Sequence, residues 1–440
     1  MIITKLLGGC KVGFFGLGAS NSSLLSNLPL EKCDITLRSD RPICKSEIPI
    51  GIRVNRLFTG KNSCAQIDED ILFFSPSVRR DRPELLAAER RGTIFTSDAE
   101  LFFKRNRTPV LAVTGSDGKS TTATLIDLLL KSGGHDSLLI GNIGEPMYKK
   151  KAETHDLFVA ELSSFMLTYL KPSVTAACIT NITPNHLDWH KGYEEYKMTK
   201  LSIGEKAERL ILPDELAENI GAEGIISIKI PLRQLIKTYK AELYITVENK
   251  YILKNGEKII DISTVNRREA HNIKNLMMAI AMTDGLVGSE EIRDVATSFH
   301  GLPHRCELFF SKDGVDYIDS SIDSSPARTV QTLKSLNRSV VIILGGRGKG
   351  LDYIELEPAI KRYAKKVIIT GENAEEIYGA VSNSADTEIV ADFDEAVIRG
   401  KYYSRSVGTL LLSPASTSFD RFKNYAERGE KFKEIVAKYQ

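Results

Sequence analysis

Short apolar runs alternate with amphipathic stretches along most of the chain. From Lys11 to about Thr96 the runs are "KVGFFGLG", "CDITLRSD", "DILFFSPSV" and "GTIFTS". Continuous apolar runs of this kind are how strands buried on both faces read, and turn residues such as "SPS" and "RPE" stand at their ends. The basic, Pro-bearing "FFKRNRTP" (102–109) reads as a linker. The alternation then resumes with "VLAVTG", "DSLLIGNIG", "DLFVAELSSF", "VTAACITNITP" and "RLILP". A hairpin-like insertion follows at "AELYITVENKYILKNGEKII", with Asn255-Gly256 as its turn signal. Next comes a helical stretch in "REAHNIKNLMMAIAMTDGL". A third set of strands starts at about Gly301: "VDYIDSS", "SVVIILGGRGKG", "KKVIITGE", "TEIVAD" and "GTLLLSPAS". Amphipathic helices such as "FDEAVIRGKYYS" separate them. The pattern predicts an α/β protein of three consecutive domains, 1–103, 104–301 and 302–440, with mostly parallel sheets.

Composition narrows the class. The chain has 440 residues, 42% hydrophobic and 26% charged, with a formal net charge of +2. That balance suits a soluble globular protein and excludes a dominant nucleic-acid or membrane-surface role, which calls for one-sided charge. The six cysteines show neither CxxC pairs nor zinc spacing, so they are expected as reduced thiols of a cytoplasmic protein. The apolar N-terminal run is broken by Lys5 and Lys11, against a signal peptide. No run reaches the ~18 apolar residues needed to span a bilayer.

The candidate chemistry lies at strand ends. "VLAVTGSDGKSTTATLIDLLLKSGG" passes from an apolar run through a loop into a helix. A strict Walker A loop would need glycine at position 113, where this chain has Val113. The physical requirements for phosphate survive in Gly115, Ser116, Asp117, Gly118, Lys119, Ser120 and Thr121. Two glycines allow close backbone approach, the lysine reaches phosphate, the serine can ligate Mg²⁺, and a helix N-terminus faces the anion. The plain alternative is a strand-to-helix turn with a solvated lysine. Downstream, Glu161 ends one strand run, while Asn181, Thr183, His186 and Asp188 follow another ahead of a helix carrying Lys200. Ligands of parallel α/β sheets bind beyond the carboxyl ends of strands, so these three ends are expected to converge on one metal–nucleotide site. His186 alone is ambiguous, since Mg²⁺ prefers oxygen ligands. The loop with Gly16 and Gly18 has Ser22 where a dinucleotide fingerprint has its last glycine; it suits a diphosphate on a helix N-terminus, or else a structural tight turn. "LGGRGKGLD", with Arg347 and Lys349, is a third glycine-rich strand end. Together these suggest a clamp around a large anionic substrate.

In order, "VTGSDGKSTT", "GNIG", "ELSSF", "NITPNHLDWH…K", "HNIKN", "GLPHR", "GGRGKGLD" and "LSPASTSFDRFKNYAERGEKF" resemble the motifs of the Mur ligase family of cell-wall peptide synthetases, nearly end to end. The family's modified P-loop normally lacks the first Walker glycine, which accounts for Val113. The resemblance implies a Rossmann-like first domain binding the uridine diphosphate of a sugar substrate, a P-loop-type ATPase domain, and a Rossmann-like third domain binding the incoming amino acid. It implies ATP, two Mg²⁺ ions and a monomer as well. In the implied reaction ATP phosphorylates the L-alanyl carboxylate of UDP-N-acetylmuramoyl-L-alanine, and D-glutamate attacks the acyl phosphate. The last segment is the one that points to D-glutamate.

By the same resemblance, Lys119 and Ser120 hold the β/γ-phosphates and one Mg²⁺, and Glu161 and His186 hold the second. Asn142 and Ser163 contact the muramoyl substrate, Asn272 and Asn275 lie on the adenine side, and Arg305 reaches the phosphates. Lys200 matches a lysine that CO₂ carbamylates, turning an ammonium beside two cations into an anion. Gly18, Ser20, Arg38 and Ser75 are the implied uridine-diphosphate contacts, and Lys349, Ser418 and Tyr425 the D-glutamate contacts. Asp319 and Ser321 are expected to keep a nucleotide role, and Ser324 or Ser325 a hydroxyl contact to D-glutamate. The chain departs from the family pattern at Asn185 (often Asp), Ile322 (commonly Lys), Met166 (commonly Gln) and Ser77 (usually Gly). Rival readings are a folylpolyglutamate synthetase of the same superfamily, a nucleotide-binding regulator without ligase activity, and, weakest, a Rossmann dehydrogenase.

Overall fold

A computed structural model describes residues 9–44, 47–148, 154–187, 189–217, 224–228, 243–348 and 351–438. They form two compact units, Met1–Phe299 and His300–Gln440. The first unit holds two sheets and the second holds one. Among the described residues no helix is long and apolar enough to cross a membrane.

The first sheet is built from β1 (Lys11–Phe15), β2 (Asp34–Ser39), β3 (Arg56–Thr59), β4 (Ile71–Phe74) and β5 (Ile94–Thr96). Its order is β3-β2-β1-β4-β5, and every pairing is parallel. Phe14 and Phe15 of β1 are buried on opposite faces and stack on Phe73 and Phe74 of β4, which is why the run reads apolar without alternation. Helix α1 (Ala19–Asn27) leaves β1 through the glycine turn. The strand order reverses between β1 and β4, the place where an open α/β sheet forms a ligand crevice.

The second sheet comprises β6 (Val110–Thr114), β7 (Ser137–Gly141), β8 (Leu157–Glu161), β9 (Val174–Ile179), β10 (Ala207–Pro213), β11 (Gly224–Ile228), β12 (Leu243–Glu248), β13 (Tyr251–Lys254) and β14 (Glu257–Asp261). Their order is β14-β13-β12-β11-β10-β9-β6-β8-β7. Strands β6 to β10 are parallel, whereas β10 to β14 pair antiparallel in succession. The hairpin-like insertion is therefore not a separate hairpin but an edge extension of the main sheet. All five residues of the central β6 are buried. Helices α2 (Lys119–Ser132), α3 (Tyr193–Leu201) and α4 (Ala270–Met282) carry site residues.

In the second unit, β15 (Glu307–Lys312), β16 (Val315–Asp319), β17 (Val340–Leu344), β18 (Ala364–Ile369), β19 (Asp386–Ile389) and β20 (Thr409–Leu412) follow the order β15-β16-β20-β17-β18-β19. Only β15 pairs antiparallel. Helix α5 (Tyr425–Lys438) packs Phe432, Ile435 and Val436 into one face of this sheet.

Candidate active site

The loop after β6 is shaped for close backbone approach. Gly115 and Gly118 take φ of +146° and +76°, a region that disfavours any side chain. A Cβ on Gly115 would lie 1.9 Å from Thr180 Oγ1, and one on Gly118 would lie 2.3 Å from Asn275 Oδ1. Ser116 is tied to the segment after β9: its N–H donates to Asn181 O at 2.9 Å and its Oγ to Thr183 O at 2.9 Å. The Asp117 N–H donates to Asn181 Oδ1 at 3.0 Å. Lys119 Nζ donates to Ser116 O at 2.7 Å, folding back over the loop. Ser120 is buried in the first turn of α2, with Thr121 beside it.

The ends of β8 and β9 flank this loop because both strands pair with β6. Glu161, the last residue of β8, is fully buried. Asn142 Nδ2 donates to its Oε1 at 2.7 Å, while Oε2 is buried with no hydrogen-bond partner among the described residues. A buried carboxylate oxygen left unpaired costs several kcal/mol unless a cation completes it, so the donor set fits a hard divalent metal. Gly141, at φ +107°, lets the "GNIG" turn pass within reach, since a Cβ there would meet Glu161 O at 2.4 Å. Ser163 caps the next short helix, its Oγ accepting from Met166 N at 3.2 Å.

Lys200 lies near the C-terminal end of α3, 2% exposed, with Nζ 4.7 Å from the Tyr196 ring centroid. Burial, and then the nearby Lys119 cation, push its pKa down from 10.5 to about 7, against the pull of Glu161 and Asp117. Tyr196, one turn earlier, makes a 2.8 Å hydroxyl contact with Ser116 Oγ and so joins α3 to the P-loop. His186 is exposed, at φ +53°, with its ring 4.9 Å from that of Phe165. Lys119, Glu161 and Lys200 thus share one electrostatic neighbourhood, with His186 on the loop leading to α3. Asn275 of α4 reaches the P-loop at Gly118 and accepts from Thr122 Oγ1 at 3.3 Å, whereas Asn272, one turn earlier, donates to Glu269 at 3.0 Å.

In the first sheet, Gly18 is the N-cap of α1, Ser20 lies in its first turn, and Ser75 Oγ donates to Gly16 O at 3.0 Å across the β1/β4 crevice. Arg38 is a correction. It is fully buried, and its guanidinium makes four hydrogen bonds, to Glu69 and to the carbonyls of Ser63, Ala65 and Gln66, with Nη2 also 2.8 Å from the Glu69 carboxylate. Its donors are committed within the first sheet's own structure, which suits a structural ion pair rather than a diphosphate contact.

In the second unit, Asp319 is also committed internally. His304 Nδ1 lies 2.6 Å from Oδ2, and Ser321 N donates to Oδ1 at 2.8 Å. Its carboxylate is fully buried. Ser321 Oγ in turn donates to Tyr425 O at 2.8 Å. Buried Ser418 and half-exposed Tyr425 lie on the chain segment that follows β20. Arg305 precedes β15, and Ser324 lies between β16 and the next helix. Lys349 and Asp188 lie outside the described residues.

Sequence reasoning missed Tyr196 and His190. Tyr196 stands four residues before Lys200, on the same face of α3, a spacing visible in the sequence. His190 is 3% exposed, its Nε2 3.0 Å from Ser164 Oγ, and only the fold joins these two.

Comparison with known proteins gives the family. Residues 113–283 match the Mur ligase middle domain. The chain is 35% identical to UDP-N-acetylmuramoylalanine–D-glutamate ligase of Acetivibrio thermocellus, covering 98% of this chain and 97% of that one. It is 32% identical to the ligase of the same name from Clostridium tetani, again covering 98% and 97%. Among solved structures, UDP-N-acetylmuramate-alanine ligase from Thermotoga maritima superposes with a TM-score of 0.55 at 18% identity, covering 98% of this chain and 100% of that one. That likeness bears on the fold alone. MurF ligase from the same organism, in complex with ADP, gives a TM-score of 0.50 at 14% identity, covering 100% of this chain and 98% of that one. Identity above 30% along nearly the whole of both chains means that this chain belongs to the Mur ligase family.

Proposed function

We propose that the protein joins D-glutamate to UDP-N-acetylmuramoyl-L-alanine at the expense of ATP, as a cytoplasmic monomer in peptidoglycan precursor synthesis. The observation that carries the reading is the convergence of Lys119, the half-unpartnered Glu161 and the depressed Lys200 around one P-loop, in a chain similar end to end to enzymes of that name. The alanyl carboxylate attacks the γ-phosphorus and ADP leaves. The free amine of D-glutamate then adds to the acyl carbon, the amine loses a proton, and the tetrahedral intermediate expels phosphate. Because one anion must approach another, neutralising and aligning them is most of the task.

Lys119 and the backbone N–H groups from Gly118 to Thr121 hold the β- and γ-phosphates. Ser120 would hold one Mg²⁺, and Glu161, His186 and Lys200 as a carbamate the other. Bound Mg²⁺ supplies charge neutralisation at the transferring phosphoryl group. A carbamate suits Lys200 because the amine that adds CO₂ is the neutral one, and this pocket already disfavours the ammonium. Asn142 and Ser163 orient the muramoyl substrate, Asn272 and Asn275 serve the nucleotide, and Arg305 serves the phosphates. Gly18, Ser20 and Ser75 line the crevice for the uridine diphosphate, and Ser418, Tyr425, Ser324 and Lys349 receive D-glutamate. The test is phosphate release with ATP and UDP-N-acetylmuramoyl-L-alanine across a panel of amino acids. Release that depends on D-glutamate supports the reading, and ATP binding without turnover overturns it.

A further inference from the structure

The loop that follows β9 in the second sheet is held by a side chain that follows β4 of the first. The segment after β4, which borders the β1/β4 crevice through Ser75, continues to Arg79. That side chain crosses to the loop between β9 and α3. Its Nη1 donates to Trp189 O at 2.7 Å, and its two Nη atoms lie 3.3 and 3.2 Å from the Glu195 carboxylate. The guanidinium carbon sits 4.8 Å from the Trp189 ring centroid. Trp189 Nε1 returns a hydrogen bond to Ser77 O at 2.7 Å. Asp81 accepts from Arg79 Nε at 3.0 Å and pairs with Lys191 at 2.9 Å, fixing the guanidinium plane.

What is clamped matters for chemistry. Trp189 N and His190 N both donate to His186 O, at 3.1 and 3.0 Å, closing the turn that sets His186 at φ +53°. A non-glycine residue in that region persists only where its surroundings over-determine it. Glu195 lies in the first turn of α3, so holding it fixes the helix that carries Lys200. Phe165 completes the packing, with ring centroids 4.7 Å from Trp189 and 4.9 Å from His186.

We propose that Arg79 is a positioning residue for phosphoryl transfer, holding the His186–Lys200 segment in place by clamping Trp189 and Glu195. The inference rests on the roles assigned to His186 and Lys200 under the proposed function. Arg79 touches no reacting atom. Losing an outer partner of this kind typically costs about 10–100-fold in activity.

Trp189 is the single tryptophan of the chain, so its fluorescence reports on the clamp. In Arg79→Met, kcat for D-glutamate-dependent phosphate release should fall about tenfold or more. The KM for D-glutamate should stay within about twofold, since uniform binding is untouched. Acrylamide should quench Trp189 more strongly than in the wild type. Glu195→Gln, which keeps Arg79 and most of the clamp, should show the same split at smaller amplitude, and it carries the test if Arg79→Met does not fold. An unchanged kcat, a loss of kcat without altered quenching, or a loss confined to KM overturns the inference. A wild-type protein without D-glutamate-dependent turnover overturns the functional reading beneath it, which is a separate result.

Discussion

Asn142 Nδ2 donates to Glu161 Oε1 at 2.7 Å, and the second oxygen of that carboxylate is buried without a partner among the described residues. One amide therefore orients the carboxylate and leaves a bare acceptor aimed where a cation is needed. Glu161→Gln removes the charge but keeps the shape. In metal-free buffer the variant should be as stable as the wild type or about 1 kcal/mol more stable, because an unpaired buried charge is gone. The gain in Tm that Mg²⁺ and ADP give the wild type by mass action should shrink, and kcat should fall about 10²-fold or more. Thermal melts with and without Mg²⁺ check the first two, and steady-state kinetics the third.

Gly118 and Asn275 are in near contact, so the P-loop can be perturbed sterically and then relieved. A Cβ on Gly118 would lie 2.3 Å from Asn275 Oδ1, and φ there is +76°. Gly118→Ala should cost about 1–3 kcal/mol from backbone strain and contact together, and should weaken ADP binding about tenfold or more. The double variant Gly118→Ala/Asn275→Ala should recover the steric part but not the strain. Calorimetric titration of ADP into the four proteins measures the non-additivity.

The parallel strands and the P-loop were legible because burial on both faces makes their strands continuous apolar runs ended by glycine turns. The nine-strand sheet was less so: only its β12–β14 edge carried a turn signal, and nothing local says that an antiparallel hairpin will extend a parallel sheet. Arg38 entered the ligand set through the family resemblance. Its pairing with Glu69, 31 positions away, has no local signature. The contact between Arg79 and Trp189 spans 110 positions and is equally silent in a single sequence. The contact of His304 with Asp319 is as silent locally, since His304 approaches it only once β15 and β16 have paired.

Lys200 sets a pH dependence whose sign follows from its depressed pKa. The amine is mostly neutral above about pH 7. At constant CO₂ pressure, the carbamate signal from ¹³C-labelled CO₂ should therefore grow as pH is raised from about 6 to about 8, and Lys200→Ala should show none. Stability has the matching trend. The unfolded chain, with an ordinary pKa of 10.5, binds the proton that the folded chain releases near 7. With excess protons on the unfolded side, stability contributed by this group rises with pH across that window and is lost as pH falls towards 7. Lys200→Met should flatten that slope in denaturant titrations at several pH values.

Arg38 and Glu69 are both fully buried, at 2.8 Å, and the guanidinium also serves three carbonyls. Removing either partner strands the other. Arg38→Met leaves a carboxylate and three carbonyls unsatisfied, so it should destabilise the protein by about 3–5 kcal/mol. Glu69→Gln should cost less, because the carbonyls still solvate the remaining charge. Arg38→Lys separates a structural role from a ligand role. An ammonium has three donors where the guanidinium has five, so a structural Arg38 predicts a clear drop in urea midpoint, with UDP binding by the surviving folded protein unchanged. If UDP affinity fell while the midpoint held, Arg38 would return to the ligand set and the buried ion pair would lose its structural reading.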